Sequence, residues 1–210
     1  MELKKLLALG LALGLSVGSV GCTNKKGETT TDNNTNTTQN STTTQDNGYL
    51  NTEYANTYSG LYTNNISPLN NYAMYSSVDE VNNAYKTKEY PGNEKYLSEV
   101  KAAYQDSKEK LQAFVNGLKN DAKTDDAKLK EANQELIDEG EDLIEEIDEK
   151  ISRLDTIPKD AYNKSQDEFI KLVDDTTKVE NDVRSEFDKM IKDMNNMLGI
   201  DTTSNNGKNK

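Results

Sequence analysis

The stretch LKEANQELIDEGEDLIEEIDEKISRL, residues 129–154, decides the fold class. Leu129, Leu136, Ile137, Leu143, Ile144, Ile147, Ile151 and Leu154 recur with the spacing that lines one face of an α-helix. Asp138, Glu139, Glu141, Asp142, Glu145, Glu146, Asp148 and Glu149 stand between them and are expected to face water. Thr124 is the expected N-cap, which places Asp125 and Asp126 in the first turn, at the positive end of the helix dipole. Gly140 interrupts the stripe at a cost of ~1 kcal/mol against Ala, unless a neighbouring helix uses the gap for close approach. An amphipathic helix of this kind needs partners to cover its apolar face.

Partners are present on both sides. Upstream, Leu97, Val100, Tyr104, Leu111, Phe114 and Leu118 form the stripe of a helix that begins near Asn93, with a gap at Ser107. Pro91-Gly92 breaks the chain before it. Downstream, Asp155-Thr156-Ile157-Pro158 stops the acidic helix and opens another, because proline is tolerated where the amides are unpaired, in a first turn. That third helix is expected to run about 40 residues, roughly 60 Å, to a left-handed cap at Gly199, with Ile200 folding back towards Met194. Tyr162, Phe169, Thr176, Val183, Met190 and Met197 recur at intervals of seven within it, a coiled-coil seam. The expected fold is all-α: an up-down-up three-helix bundle, or a long coiled-coil hairpin with the first helix loosely attached. Self-association through the third helix would satisfy the seam as well.

The segment 49–91 has a different composition, rich in Tyr and Asn and poor in aliphatics. Tyr54, Tyr58 and Tyr62 step by four, which stacks them on one side of a helix. Ser77 and Glu80 make a capping box for a short helix towards Tyr85. Residues 22–48 are Thr, Asn, Gln, Asp, Ser and Gly in the main, with no hydrophobic period, and read as a disordered tether spanning roughly 30 Å. The tail 201–210 is polar and expected to be disordered. The folded unit is therefore 92–200, preceded by the Tyr/Asn-rich, partly ordered segment.

Residues 1–21 pair Lys4 and Lys5 with an apolar run from Leu6 to Val20, the n-region and h-region of a signal peptide. The run is short for a membrane span, which needs roughly 20 apolar residues. With Ser19, Val20 and Gly21 leading into Cys22, the segment resembles the type II (lipobox) signal peptide of bacterial lipoproteins, although that family prefers Leu where Ser19 stands. The resemblance implies cleavage before Cys22, a diacylglyceryl group with two palmitate-type acyl chains on its thiol, and a chain held to the extracytoplasmic face of the cell membrane. Two acyl chains suffice for stable anchoring. The layout of lipid cysteine, tether and acidic helical unit is similar to lipoproteins of low-GC Gram-positive bacteria described as cell-wall-binding.

Composition narrows the chemistry. The formal net charge of −12 argues against a nucleic-acid partner, whose phosphates require a basic face, and against electrostatic adhesion to anionic lipid. There is no histidine, and Cys22 is the single cysteine. Imidazole acid-base chemistry, His-ligated zinc and intrachain disulfides are thereby excluded. No cofactor motif is present, no enzyme activity is expected, and loose divalent-cation binding by the acidic helix is a residual reading.

Two groups remain as candidate binding residues. Tyr54, Tyr58, Tyr62, Tyr72 and Tyr75 offer aromatic faces for sugar rings, or else dock onto the bundle as a covering arm. Met190, Met194 and Met197 offer an adaptable surface for a helical partner, or else belong to the core stripe. The sequence reading is a membrane-anchored, non-enzymatic binding or scaffold module for an envelope protein or cell-wall polymer such as peptidoglycan; the alternative is a solute-binding lipoprotein delivering a small ligand to a transporter.

Overall fold

The computed structural model describes residues 48–179 and 183–200, and every element among them is helical. The elements are α1 (Glu53–Leu61), α2 (Val78–Tyr85), α3 (Asn93–Asn120), α4 (Ala127–Asp155), α5 (Gln166–Thr177) and α6 (Val183–Leu198). A π-helical turn (Tyr62–Ile66) and a 3₁₀ stretch (Ser67–Tyr75) join α1 to α2, and a second 3₁₀ turn (Lys159–Asn163) precedes α5. None of the helices among the described residues is long and apolar enough to cross a membrane.

The two longest helices, α3 and α4, form an antiparallel hairpin. Three ion pairs record the direction: Lys101 to Asp155 at 2.7 Å, Lys108 to Asp148 at 2.6 Å, and Lys119 to Glu141. Leu97, Val100, Tyr104, Leu111, Phe114 and Leu118 are all buried in the seam. The gap at Ser107 is filled by that serine itself, buried with its hydroxyl donating to the Ala103 carbonyl at 2.7 Å. The α4 stripe is likewise inward, with Ile144 and Ile151 at its partly buried margin. At Gly140 an added Cβ would lie 2.7 Å from Val115 Cγ2 and 3.4 Å from Phe187 Cε2, so the missing side chain is what lets three helices meet there.

The helix ends follow local chemistry, with one shift. Asp126, not Thr124, caps α4: its carboxylate accepts from the Leu129 amide at 2.9 Å, while Thr124 Oγ1 accepts from the Asp126 amide. A carboxylate at this position satisfies an orphan amide and complements the helix dipole at once, which explains its advantage over a hydroxyl two residues earlier. Ser77 caps α2 as expected, accepting from Glu80 N at 3.2 Å. Gly199 adopts φ 67°, its amide donates to Asn196 O, and Ile200 N donates to Asn195 O, a Schellman closure of α6.

The continuous third helix does not form. Pro158 leads only into the 3₁₀ turn, and α5 starts afresh at a capping box in which Ser165 and Glu168 satisfy one another's amides. At the other end, Lys178 is extended with ψ 129°. Thr176 and Thr177 turn their hydroxyls back onto the carbonyls of Leu172, Val173 and Asp174, competing with helix continuation. Arg153 Nη1 then takes the Lys178 carbonyl at 2.8 Å. The seven-residue seam is consequently not the buried line of α6. That line is Phe187, Ile191, Met194, Asn195 and Leu198, whereas Val183, Met190 and Met197 are only partly buried. Despite the break, α5 and α6 both run in the sense of α3: Tyr96 meets Phe169 and Phe114 meets Phe187 with the same sequence offset, at centroid distances of 6.4 and 6.3 Å.

Candidate functional site

Building the surface from its residues starts with the segment 49–90, which lies along the body from one end to the other. Tyr49 sits by Asp126 at the α3–α4 turn. Tyr54 donates to Asn133 Oδ1 at 2.8 Å and touches Met194 Sδ. Tyr58 meets Phe114 edge-on at 5.9 Å, Tyr72 donates to Asp106 at 2.5 Å, and Tyr85 donates to Glu99 at 3.4 Å. The partners on α3 fall in descending order from Phe114 to Glu99, so the arm runs antiparallel to α3 and ends beside the start of that helix. Leu61 closes over Gly117, where an added Cβ would collide with its side chain.

This placement decides what the tyrosines present. Tyr54, Tyr58 and Tyr62 are core residues, stacked on one another at 6.4 Å as their step of four predicts, with no free ring face. Tyr72 and Tyr75 are partly buried against the same core. Burial drives the phenol pKa of Tyr58 well upward, and its neighbours Tyr54 and Tyr62 add to the shift. For Tyr72 the hydrogen bond to Asp106 leads, raising its pKa to about 12. Met194 is buried, and Met190 and Met197 flank it at the core margin, so the three methionines do not form one open surface. Cys22 lies outside the described residues.

The acidic helix holds one feature absent from the sequence reading. Glu146 does not face water: it is 8% exposed, beside Lys150 at 6%, and the two pair at 2.5 Å. Glu146 Oε2 has no hydrogen-bond partner. Tyr104 lies within electrostatic reach of Glu146, Arg184 and Asp174 and bonds the Thr177 side chain, with burial as the main cause lifting its phenol to about 12. Arg184 spends its Nε on Asp188 at 2.9 Å while Nη2 is buried without a partner. These groups gather where α5 ends and α6 begins. The signal was available, because Glu146 and Lys150 occupy the helical positions between Leu143, Ile147 and Leu154, on the stripe itself. A buried ion pair with an unused oxygen costs desolvation of both groups.

Two concavities open among the described residues. An open groove between α3 and α4 is lined by Val115, Asn116, Asp138, Glu141, Ile144 and Glu145. A slot under α2, lined by Tyr75, Tyr96, Tyr104, Val173 and Asp174 among others, has about 10 Å³ of accessible space, enough for about one water. Among the described residues, no three acidic side chains converge closely enough to hold a metal ion.

The far end of the body, beyond the Tyr85 turn, is built differently. Asn93 staples two turns together: Tyr90 donates to its Oδ1 at 2.7 Å, and its Nδ2 donates to the carbonyls of Tyr162 and Lys164 at 3.0 and 2.8 Å. Tyr96 and Phe169 are buried at the centre, ringed by the partly exposed Tyr75, Tyr85, Tyr90 and Tyr162 at centroid distances of 5.1–6.4 Å. Sequence reasoning passed over Asn93 because a lone Asn after Pro-Gly signals only a helix start.

Comparison of the chain with protein-family models, with curated proteins and with solved structures gave no match.

Proposed function

We propose that the chain is a non-enzymatic binding module of the bacterial cell envelope, anchored by lipid on Cys22 to the extracytoplasmic face of the membrane. One observation carries the reading. The described chain begins, at Tyr49 beside Asp126, and finishes, at the cap of α6, on the same end of the body. That follows because α6 runs antiparallel to α4, with Met194 and Asn133 both meeting Tyr54. A lipid and tether before residue 49 would then hold that end towards the membrane. The opposite end would stand off by the length of α3, whose 28 residues span roughly 40 Å.

In this reading α3, α4 and the α5–α6 pair act as an up-down-up core, and the tyrosine arm is its cover. Tyr54, Tyr58 and Tyr62 serve the fold as core residues, with Tyr58 0% exposed. The slot under α2 holds about one water, and the larger groove between α3 and α4 is open to solvent and lined by four carboxylates, which supports a presenting scaffold over an enclosed solute site.

The test is fractionation of cells expressing the full chain and its Cys22→Ala form, followed by capture from detergent-solubilised envelope. The expected result is wild-type protein in the membrane fraction, Cys22→Ala in the soluble fraction, and the same envelope component retained by both. Identical partitioning of the two forms would overturn the lipid anchor. Retention of nothing by either would overturn the binding role.

A further inference from the structure

We propose that α6 is a releasable helix, primed by unsatisfied polar groups buried in its interface, which leaves the body as a unit while α3, α4 and α5 stay packed.

Three observations converge on α6. The first is where the unsatisfied groups lie. Arg184 Nη2 and Asn195 Oδ1, both on α6, are buried without a hydrogen-bond partner, whereas α3 and α5 hold no such side-chain atom among the described residues. Asn195 is only 4% exposed. A third such atom, Glu146 Oε2, stands on the flank of α4 that faces α6. Glu139, seven residues before it and so on the same flank, has Glu186 of α6 within electrostatic reach. Each of these atoms gives up water when α6 docks and gains no bond, a cost that release reverses.

The second observation is register. Gly140 faces Phe187, while Asn133 and Met194, seven residues back on α4 and seven on along α6, share Tyr54. In that antiparallel register Arg184 lies level with Leu143, and Glu146 is about one turn nearer the joint between α5 and α6. The unsatisfied groups therefore sit at both ends of α6, with Arg184 and Glu146 at its start and Asn195 in its last turn.

The third is the joint. On the α5 side Phe169, Ile170 and Val173 are buried, and Arg153 of α4 holds the Lys178 carbonyl at 2.8 Å. These contacts keep α5 in place without α6, and the extended Lys178 marks where the two part. For its own part α6 packs chiefly on α4. Its hold is the apolar line of Phe187, Ile191, Met194 and Leu198. Release bares that line on the helix, and on the body the groove of Phe114, Gly140 and Tyr54 that received it.

The test is native-state hydrogen exchange of the full chain at low urea, read amide by amide. Amides of residues 187–198 are expected to exchange together, at least ~tenfold faster than the slowest amides of α3 and α4, and with a smaller urea dependence, as a partial opening requires. Val100→Ala, in the α3 seam away from α6, is expected to speed the α3 and α4 amides while changing those of α6 less than ~twofold. Asn195→Leu removes one unsatisfied group and is expected to slow α6 exchange at least ~fivefold, the lower range of what such a group costs. Asn196→Leu makes the same gain in helix propensity at an exposed neighbour and is expected to change α6 exchange less than ~twofold.

Exchange of α6 only in step with α3 and α4, in the wild type or in Val100→Ala, would overturn the proposal. Equal effects of Asn195→Leu and Asn196→Leu would overturn it as well, since the buried groups would then have no part in the release.

Discussion

Tyr58 is fully buried between Tyr54, Tyr62 and Phe114, and its hydroxyl has no hydrogen-bond partner. The perturbation is Tyr58→Phe, which deletes that oxygen and keeps the ring. An unsatisfied buried hydroxyl costs about 1–3 kcal/mol in desolvation. Removing one oxygen leaves a void on the order of 10 Å³, worth about 0.2 kcal/mol at the cavity cost of about 24 cal/mol per Å³. The net expectation is a gain of about 1 kcal/mol, or about 2–4 °C in Tm for a body of this size. The assay is urea unfolding followed by far-UV circular dichroism, with a higher midpoint and an unchanged m-value as the signature. A loss of 1 kcal/mol or more would refute the reasoning, since it would mean that the hydroxyl is satisfied in the native state and the arm is held by that bond.

Three further outcomes follow from the same contacts. Lys150→Met strands the Glu146 carboxylate and is expected to cost about 3–5 kcal/mol, whereas Glu146→Leu with Lys150→Met together should be near neutral or stabilising, a difference that thermal melts of the single and double variants measure. Alkaline stability should fall early. Burial raises Tyr90 and Tyr104 to about 12 and the Asp106 bond raises Tyr72 to about 12, so between pH 10 and 12 the unfolded chain releases protons that the folded one keeps. Their stabilisation is complete below pH 10 and lost as pH rises towards 12, which is readable as a declining Tm across that window. Gly140→Ala should lower the Tm despite the better helix former, because its Cβ would stand 2.7 Å from Val115 Cγ2, on a side chain stiff at χ1, and 3.4 Å from Phe187 Cε2.

Helix identity was legible where one periodicity met one cap. The α3 and α4 stripes, the Ser77 cap, the Pro91-Gly92 break and the Gly199 closure all depend on residues within a turn or two of each other, and local chemistry suffices for those. The α5–α6 break was not legible, because the seven-residue recurrence through Thr176 and Val183 continues unbroken in the sequence. What ends α5 is a competition won by back-bonding threonine hydroxyls and by Arg153, which comes from another helix. The candidate site shows the same division. The sequence singled out tyrosines and methionines by type, but their exposure depends on what covers them. Tyr54, Tyr58 and Tyr62 went inward, while Tyr85 and Tyr90, which no spacing distinguished, and Tyr162, which the seven-residue recurrence assigned to a seam, stayed partly exposed.

By itself, then, the sequence determined an all-helical acidic body, its principal helix limits and the exclusion of histidine chemistry, because period, capping and composition are properties of neighbouring residues. Tertiary structure alone decided that Tyr54, Tyr58 and Tyr62 are core, that Glu146 and Lys150 are buried as a pair, and that Asn93 joins two turns at the far end. Each of those depends on which surface another element covers, a fact carried by contacts between residues distant in the chain.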